Sequence, residues 1–265
     1  MAAVSGGADS TAMLVLAVEA GCDVTAVHVD HGLRAGSEAE ADHVAALAAH
    51  LGVPFRAERV TIAPGPNLEA RARDARRSVL PAAAMTGHTA DDRAETLLLQ
   101  LLRGAGSAGM SSLRPGPTKP ILALRRSDTR AVCDARGLTW LDDPSNADAA
   151  FRRNRVRAEV LPLLDDVAER DVTALLARTA GLLEDDDRFL DELAEVLDPT
   201  DAKLLAAAPP ALARRAVRRW LGQTYPPDLA TVERVLAVAR GDARATDVGC
   251  GRRVRRSGGQ LFLEP

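Results

Sequence analysis

In the first half of the chain, strand-length apolar runs alternate with helix-length segments, and several of the runs end on polar residues. Ala2–Val4 is a short apolar strand entering the turn Ser5-Gly6-Gly7-Ala8-Asp9-Ser10, and an apolar helix follows that stops before Gly21. Val24–Val29 is a second strand reaching Asp30-His31-Gly32. Ser37–Leu51 is an alanine-rich helix, with Ser37 as its N-cap and Gly52 as its terminator. Phe55–Ile62 reads as a third strand and Asn67–Leu80 as a helix. Pro81–Thr86 carries a fourth strand up to Gly87-His88, and Asp91–Leu102 is a helix closed by Gly104. This alternation predicts an α/β fold with a doubly wound parallel sheet. Such sheets bind ligands at the carboxyl ends of their strands, where Ser5, Asp30 and His88 fall.

Beyond a Gly/Ser/Pro-rich loop over Gly104–Lys119, the pattern changes. Ser127–Arg136 is a short helix and Trp140–Asn146 a turn-rich loop. From Phe151 to about Arg240 the sequence is almost purely helical, and Thr246–Leu263 reads as a small β-hairpin. Two domains are expected, 1–165 and a smaller, mostly helical 166–265, with the boundary near Leu164–Thr173. No apolar run approaches the roughly eighteen residues that span a bilayer. Thr11–Ala20 lacks the flanks of a signal peptide, so the expectation is a cytoplasmic protein with no membrane partner. Cys22, Cys133 and Cys250 are scattered, which argues against a disulfide framework or a thiolate metal site.

Charge is unevenly placed. From Ala206 to Pro265 there are 11 Arg against 5 Asp plus Glu, a balance of +6, so the rest of the chain carries −9 of the net −3. A basic end on an acidic body suggests a polyanion partner. Arginine dominates everywhere, however, Lys119 and Lys203 being the two lysines, and solvated helix faces would account for much of it.

The turn Ser5–Ser10 lies between a strand and a helix. Gly6 and Gly7 let the backbone approach an anion, and the helix start directs its N–H groups at it. The hydroxyls of Ser5 and Ser10 can add hydrogen bonds. Asp9 would repel phosphates unless a cation such as Mg²⁺ lies between them. No G-x-x-x-x-G-K-[ST] occurs, and Gly104-Ala105-Gly106-Ser107-Ala108-Gly109 follows a helix rather than a strand, the wrong setting for a dinucleotide site. In Gly87-His88-Thr89-Ala90-Asp91-Asp92-Arg93-Ala94-Glu95-Thr96, helical spacing brings His88, Asp91, Asp92 and Glu95 largely to one face, suited to Mg²⁺ or to an amino-acid ammonium.

The hexapeptide resembles the signature of PP-loop ATP pyrophosphatases. Four more segments make the chain similar to the tRNA(Ile)-lysidine synthetase family: His28-Val29-Asp30-His31-Gly32-Leu33-Arg34, the Gly87–Thr96 stretch, Trp140-Leu141-Asp142-Asp143-Pro144-Ser145-Asn146, and Phe151-Arg152-Arg153-Asn154-Arg155-Val156-Arg157. Relatives more often carry Gln at Arg93, and they have a longer first strand. The resemblance implies a ligase that adenylates the wobble cytidine of a CAU-anticodon isoleucine tRNA and joins lysine to C2. ATP would be held by Ser5, Gly6, Gly7, Ala8, Asp9, Ser10, His28, Asp30 and His88, and Mg²⁺ by Asp9 and Asp92. Asp9, Asp91, Asp92, Glu95, Arg152 and Arg155 are the expected catalytic residues, with the general base unranked among Asp91, Asp92 and Glu95. Arg153 reads better as part of an exposed basic helix. Arg157, Arg214, Arg215, Arg218, Arg219, Arg252, Arg253, Arg255 and Arg256 are expected on tRNA, with Trp140, Phe151, Trp220 and Tyr225 among the few aromatics for stacking. The sequence leaves a homodimer open. Rival readings are a tRNA cytidine thiolase, for which the cysteines are unsuited, an amidating synthetase, which would not need the basic tail, and a non-catalytic tRNA-binding relative.

Overall fold

The computed structural model describes the chain except residues 31, 33–37, 63–64, 66–67, 143–147 and 223–226. The expected Ser37 cap and the motif residues His31, Leu33, Arg34, Asp143, Pro144, Ser145 and Asn146 lie outside the described residues, as does Tyr225. By compactness the chain divides into Met1–Leu183 and Glu184–Pro265.

The first unit begins β1 (Ala2–Ala3), α1 (Ala8–Glu19), β2 (Ala26–Asp30), α2 (Glu38–His50), β3 (Phe55–Arg59), α3 (Leu68–Val79), β4 (Met85–Thr86) and α4 (Ala90–Leu101). The four strands form one parallel sheet in the order β3-β2-β1-β4. The chain winds outward from β1 through β2 to β3, then crosses back to place β4 on the other side of β1. With right-handed crossovers, that reversal puts α1 and α2 on one face and α3 on the other. The strand order therefore switches between β1 and β4, and a crevice opens outside their carboxyl ends. The residues after β1 are the glycine turn; those after β4 are Gly87-His88-Thr89.

Burial explains why this frame holds. Val4, Met13, Leu14, Val24, Ala26, Val44, Leu47 and Ile121 form one apolar core between sheet and helices. Gly21 and Gly52, both at positive φ, close α1 and α2. The stretch Gly104–Gly109 is a turn and the short helix α5 (Ser107–Met110), and it takes no part in the sheet.

Helix α6 (Arg126–Asp134) packs on α1. Then α7 (Arg152–Arg155) runs through a π-helical turn, Val156–Val160, into α8 (Leu161–Ala168), which Glu169 ends in the left-handed conformation. Val156 and Leu161 bury against Leu98 of α4, which fixes this arginine-rich segment beside the β4–α4 motif. The long helix α9 (Val172–Glu195) follows. The compactness boundary falls inside it, whereas the sequence places its boundary at 165/166.

The second unit continues with α10 (Ala202–Ala207), α11 (Pro210–Leu221) and α12 (Leu229–Arg240). Asp201 and Asp228 cap α10 and α12 by accepting from Lys203, Leu204 and Thr231 N–H groups. The expected hairpin is a three-stranded antiparallel sheet, β5 (Ala245–Gly249), β6 (Arg252–Ser257) and β7 (Gln260–Glu264). The turn at Gly249-Cys250-Gly251 supplies the extra strand, all three residues having positive φ. Val254 and Leu261 face the helices, joining Leu205, Val217, Val232 and Val235 in a second core.

Candidate active site

The glycine turn is built to hold one shape. Gly6 is at φ +88, and a β-carbon on it would come within 3.0 Å of Leu141 Cδ1. Leu141 N–H donates to the Gly6 carbonyl at 2.9 Å, so the segment after α6 lies against the turn. The Ser10 hydroxyl donates to Gly7 O at 3.0 Å, accepts from Ser5 N–H at 3.1 Å and lies 3.1 Å from Ser5 Oγ. Ser10 is buried and braces the loop from within, while Ser5 is exposed at its mouth. Ala8 and Asp9 open α1, with their early N–H groups at the crevice.

Asp9 points toward the β4–α4 motif. Its Oδ1 accepts from Thr129 Oγ1 at 2.5 Å, and Arg126 Nε lies 3.6 Å from Oδ2. Burial pushes the Asp9 carboxyl above its usual range; the Thr129 hydrogen bond opposes this, and the neighbouring Asp92 charge adds to it. Asp92 accepts from Thr89 N–H and Oγ1 at 2.8 and 3.0 Å, capping α4, and from Arg126 Nη2 at 2.7 Å. Burial pushes Asp92 upward, but Arg126, the Thr89 N–H and Arg153 outweigh it and hold the carboxyl below its ordinary value. Glu95 has no exposed surface and meets three guanidiniums: Arg126 Nη1 at 2.7 Å, Arg157 Nε at 2.8 Å and Arg153 Nε at 3.1 Å. Asp91 instead accepts from Arg126 N–H at 3.0 Å and Arg125 Nε at 3.0 Å, holding the start of α6; Arg125 also pairs with Asp171.

Arg126 is thus the cation on which Asp9, Asp92 and Glu95 converge, and sequence reasoning did not single it out. A signal was present. Arg125-Arg126 opens a helix, where the macrodipole disfavours cations, so nearby carboxylates are needed to hold the pair there. Arg153, which the sequence places on an exposed basic helix, reaches both Glu95 and Thr96 Oγ1, the latter at 2.8 Å. Arg152 and Arg155 are exposed, and Arg155 forms a two-pronged pair with Glu159 one turn on. Of the expected arginines on this segment, the fold brings Arg157 to the acidic cluster and leaves Arg152 and Arg155 on the helix surface.

The other nucleotide candidates sit around the crevice. His28 is buried on β2, its Nδ1 3.0 Å from Val4 O, at the end of β1. Asp30, at the end of β2, accepts from Gly32 N–H at 2.8 Å and lies 3.7 Å from Arg59 Nε. His88 Nδ1 is 2.8 Å from Thr86 Oγ1, and burial depresses its pKa to about 4, so it is neutral at physiological pH. Gly87 has no room for a side chain: a β-carbon would lie 2.9 Å from backbone atoms of Asp9 and Ser10. That contact brings the loops after β1 and β4 together.

Mg²⁺ can be tested against these groups. Among the described residues, no three or more His, Cys, Asp or Glu side chains form a cage. Mg²⁺ commonly takes only one or two protein carboxylates and completes its shell with phosphate and water. Asp9 fits that demand. Asp92 has one oxygen on the α4 cap and the other on Arg126, so ligation by it requires Arg126 to let go.

In the second unit, most of the expected tRNA-contacting arginines bond within the unit. Arg219 donates to Ala194 O, Arg252 to Leu221 O and Arg256 to Ala239 O, each a carbonyl in the last turn of a helix. Arg215, little exposed, pairs with the fully buried Asp187 at 2.6 Å and with Asp191, and Arg214 pairs with Glu233. Arg218 is half-buried, and Trp220 packs on the core. Alternation along β6 turns Arg253 and Arg255 to the opposite face, where Arg255 lies over the exposed Phe262 ring, 5.5 Å from its centroid, and pairs with Glu264 at 2.8 Å.

The sheet order, the glycine turn at its switch point and the carboxylates facing that turn define a PP-loop protein. A family model described as the PP-loop domain matches residues 1–164, and another, the TilS substrate binding domain, matches 201–262. The chain is 46% identical over 235 residues to the tRNA(Ile)-lysidine synthase of Nocardia farcinica, covering 83% of this chain and 74% of that one. It is 40% identical to the enzyme of the same name from Thermus thermophilus, covering 99% of this chain and 56% of that one. The U34-tRNA thiolase NcsA from Methanococcus maripaludis, solved with its [4Fe-4S] cluster, shares the fold with a TM-score of 0.55 and 17% identity, over 69% of this chain and 71% of that one. The chain belongs to the tRNA(Ile)-lysidine synthase family.

Proposed function

We propose that this protein is an ATP-dependent carbon–nitrogen ligase that converts the wobble cytidine of a CAU-anticodon isoleucine tRNA to lysidine. The observation that carries the reading is the juxtaposition, at one crevice, of an anion-binding turn and a carboxylate cluster suited to an amine. In the first step, O2 of the cytidine attacks the α-phosphorus of ATP and pyrophosphate leaves. In the second, the deprotonated ε-amine of lysine adds to C2, and AMP departs with the former O2 oxygen.

The chain's residues divide this work. Backbone N–H groups of Gly7, Ala8 and Asp9 at the start of α1 would meet the phosphates, a position that favours negative charge. Asp9 is the carboxylate placed to hold Mg²⁺, which when bound neutralises charge on the phosphate oxygens. Asp92 and Glu95 are the pair assigned to the lysine amine, being the two α4 carboxylates that share the Arg126 guanidinium, whereas Asp91 holds Arg125 and the start of α6. Arg253 and Arg255, turned outward on the C-terminal sheet, are assigned to tRNA phosphates.

Asp9→Asn tests the reading directly. Pyrophosphate release with ATP, lysine and unmodified tRNA should fall by at least about a hundredfold, the scale of losing one electrostatic group at a transition state, while tRNA affinity stays near that of the parent. Loss of both would make Asp9 a folding residue and remove its assigned chemistry.

A further inference from the structure

Arg126 lies between the acidic cluster of α4 and Asp9 of the glycine turn. Glu95 is fully buried, and Asp92 is only 13% exposed at its side chain. The two carboxylates share a single guanidinium, with Nη2 on Asp92 Oδ1 and Nη1 on Glu95 Oε1, each at 2.7 Å. Nε faces Asp9 at 3.6 Å, longer than a hydrogen bond. A buried carboxylate pair requires counter-charge, and Arg126 is the cation the two share, with Arg153 and Arg157 also on Glu95. That cation stands on a helix start, where the dipole works against it, and it adjoins the turn where phosphates would bring new negative charge.

We infer that Arg126 is a positioning residue that holds the place of the substrate's amine between Asp92 and Glu95, and yields these carboxylates when the amine arrives. The inference rests on the assignment of that pair to lysine given above. It makes lysine binding an exchange of cations, in which the ammonium replaces the guanidinium on the same oxygens. The carboxylates are never left buried without a counter-charge, and the displaced guanidinium lies next to the phosphate turn. Arg153 and Arg157 hold Glu95 from its other sides throughout.

The test is calorimetric titration of lysine into the protein saturated with α,β-methylene ATP, comparing parent, Arg126→Gln and Arg126→Lys. Removing the resident cation should tighten lysine binding in Arg126→Gln by about tenfold, the equivalent of one charge-assisted hydrogen bond no longer displaced. Turnover of the same variant should drop, giving a split between affinity and rate that a scaffolding role would not produce. Arg126→Lys, whose ammonium spans fewer oxygens, should show a smaller gain and serves if the glutamine variant melts early. Unchanged or weaker lysine binding in both variants overturns the inference while leaving the ligase reading intact. A parent protein that binds the nucleotide but takes up no lysine overturns the ligase reading, and this inference with it.

Discussion

The α-carbon of Gly87 lies so near Asp9 that a β-carbon on it would sit 2.9 Å from the Asp9 carbonyl carbon and oxygen. The loops following β1 and β4 are therefore in backbone contact at the switch point of the sheet, and the position of Asp9 depends on a residue 78 places away in the chain (87 − 9).

Gly87→Ala should push the two loops apart. Overpacking of this kind costs about 1–3 kcal/mol, and here the strain falls on the start of α1. A lowered melting temperature and weakened ATP binding by calorimetry are expected together. Normal ATP affinity in a destabilised variant would show that the turn keeps its shape without the β4 contact.

Glu95 has no exposure and answers three guanidiniums. Glu95→Gln keeps the volume and removes the charge, leaving Arg126, Arg153 and Arg157 to crowd one another. Breaking a buried ion pair from one side costs about 3–5 kcal/mol, so the urea midpoint should fall well below that of the parent. A midpoint within experimental error of the parent would mean that the three arginines find solvent or other acceptors.

The two faces of β6 make opposite forecasts. Arg252→Ala with Arg256→Ala removes donors to helix-end carbonyls and should lower stability by about 1–3 kcal/mol. Arg253→Ala with Arg255→Ala should leave melting nearly unchanged, raise KM for tRNA and reduce the slope of log affinity against log salt by roughly two. If the inner pair altered the salt slope instead, the outward face would not be the tRNA face.

His88 supplies a pH signature. Its pKa falls from the ordinary 6.5 to about 4 because burial disfavours the charged ring. Above pH 6.5 it is neutral in both the folded and the unfolded chain. As pH drops from 6.5 toward 4 the unfolded chain gains the proton first, so stability declines through that window. His88→Asn should flatten this part of the decline when urea midpoints at pH 7 and pH 5 are compared. An unaltered decline would mean that His88 titrates at its ordinary value.

Much of the first unit was legible because its signals are local. The apolar runs at Ala2–Val4 and Val24–Val29, the glycine turn and the helix over Asp91–Leu102 each carry their own pattern, and their order implied the parallel sheet. The C-terminal meander was read one strand short. Ala245–Gly249 is not visibly apolar; its pairing with Arg252–Arg255 comes from the positive-φ turn between them.

By itself, the sequence determined that a phosphate-type turn sits at a strand end, that Asp91, Asp92 and Glu95 share a helix, and that arginines crowd the C-terminal region. Only the tertiary structure decided which arginine meets which carboxylate. Charge is the least directional feature of a sequence: it suggests catalytic roles for Arg152 and Arg155 and an exposed position for Arg153, yet the path of α7 and its π-helical turn brings Arg153 and Arg157 to Glu95 and leaves Arg152 and Arg155 at the surface. Arg126 became the centre of the site because α6 packs on α1 while its first residues rest on Asp91, a meeting of segments that no local pattern records.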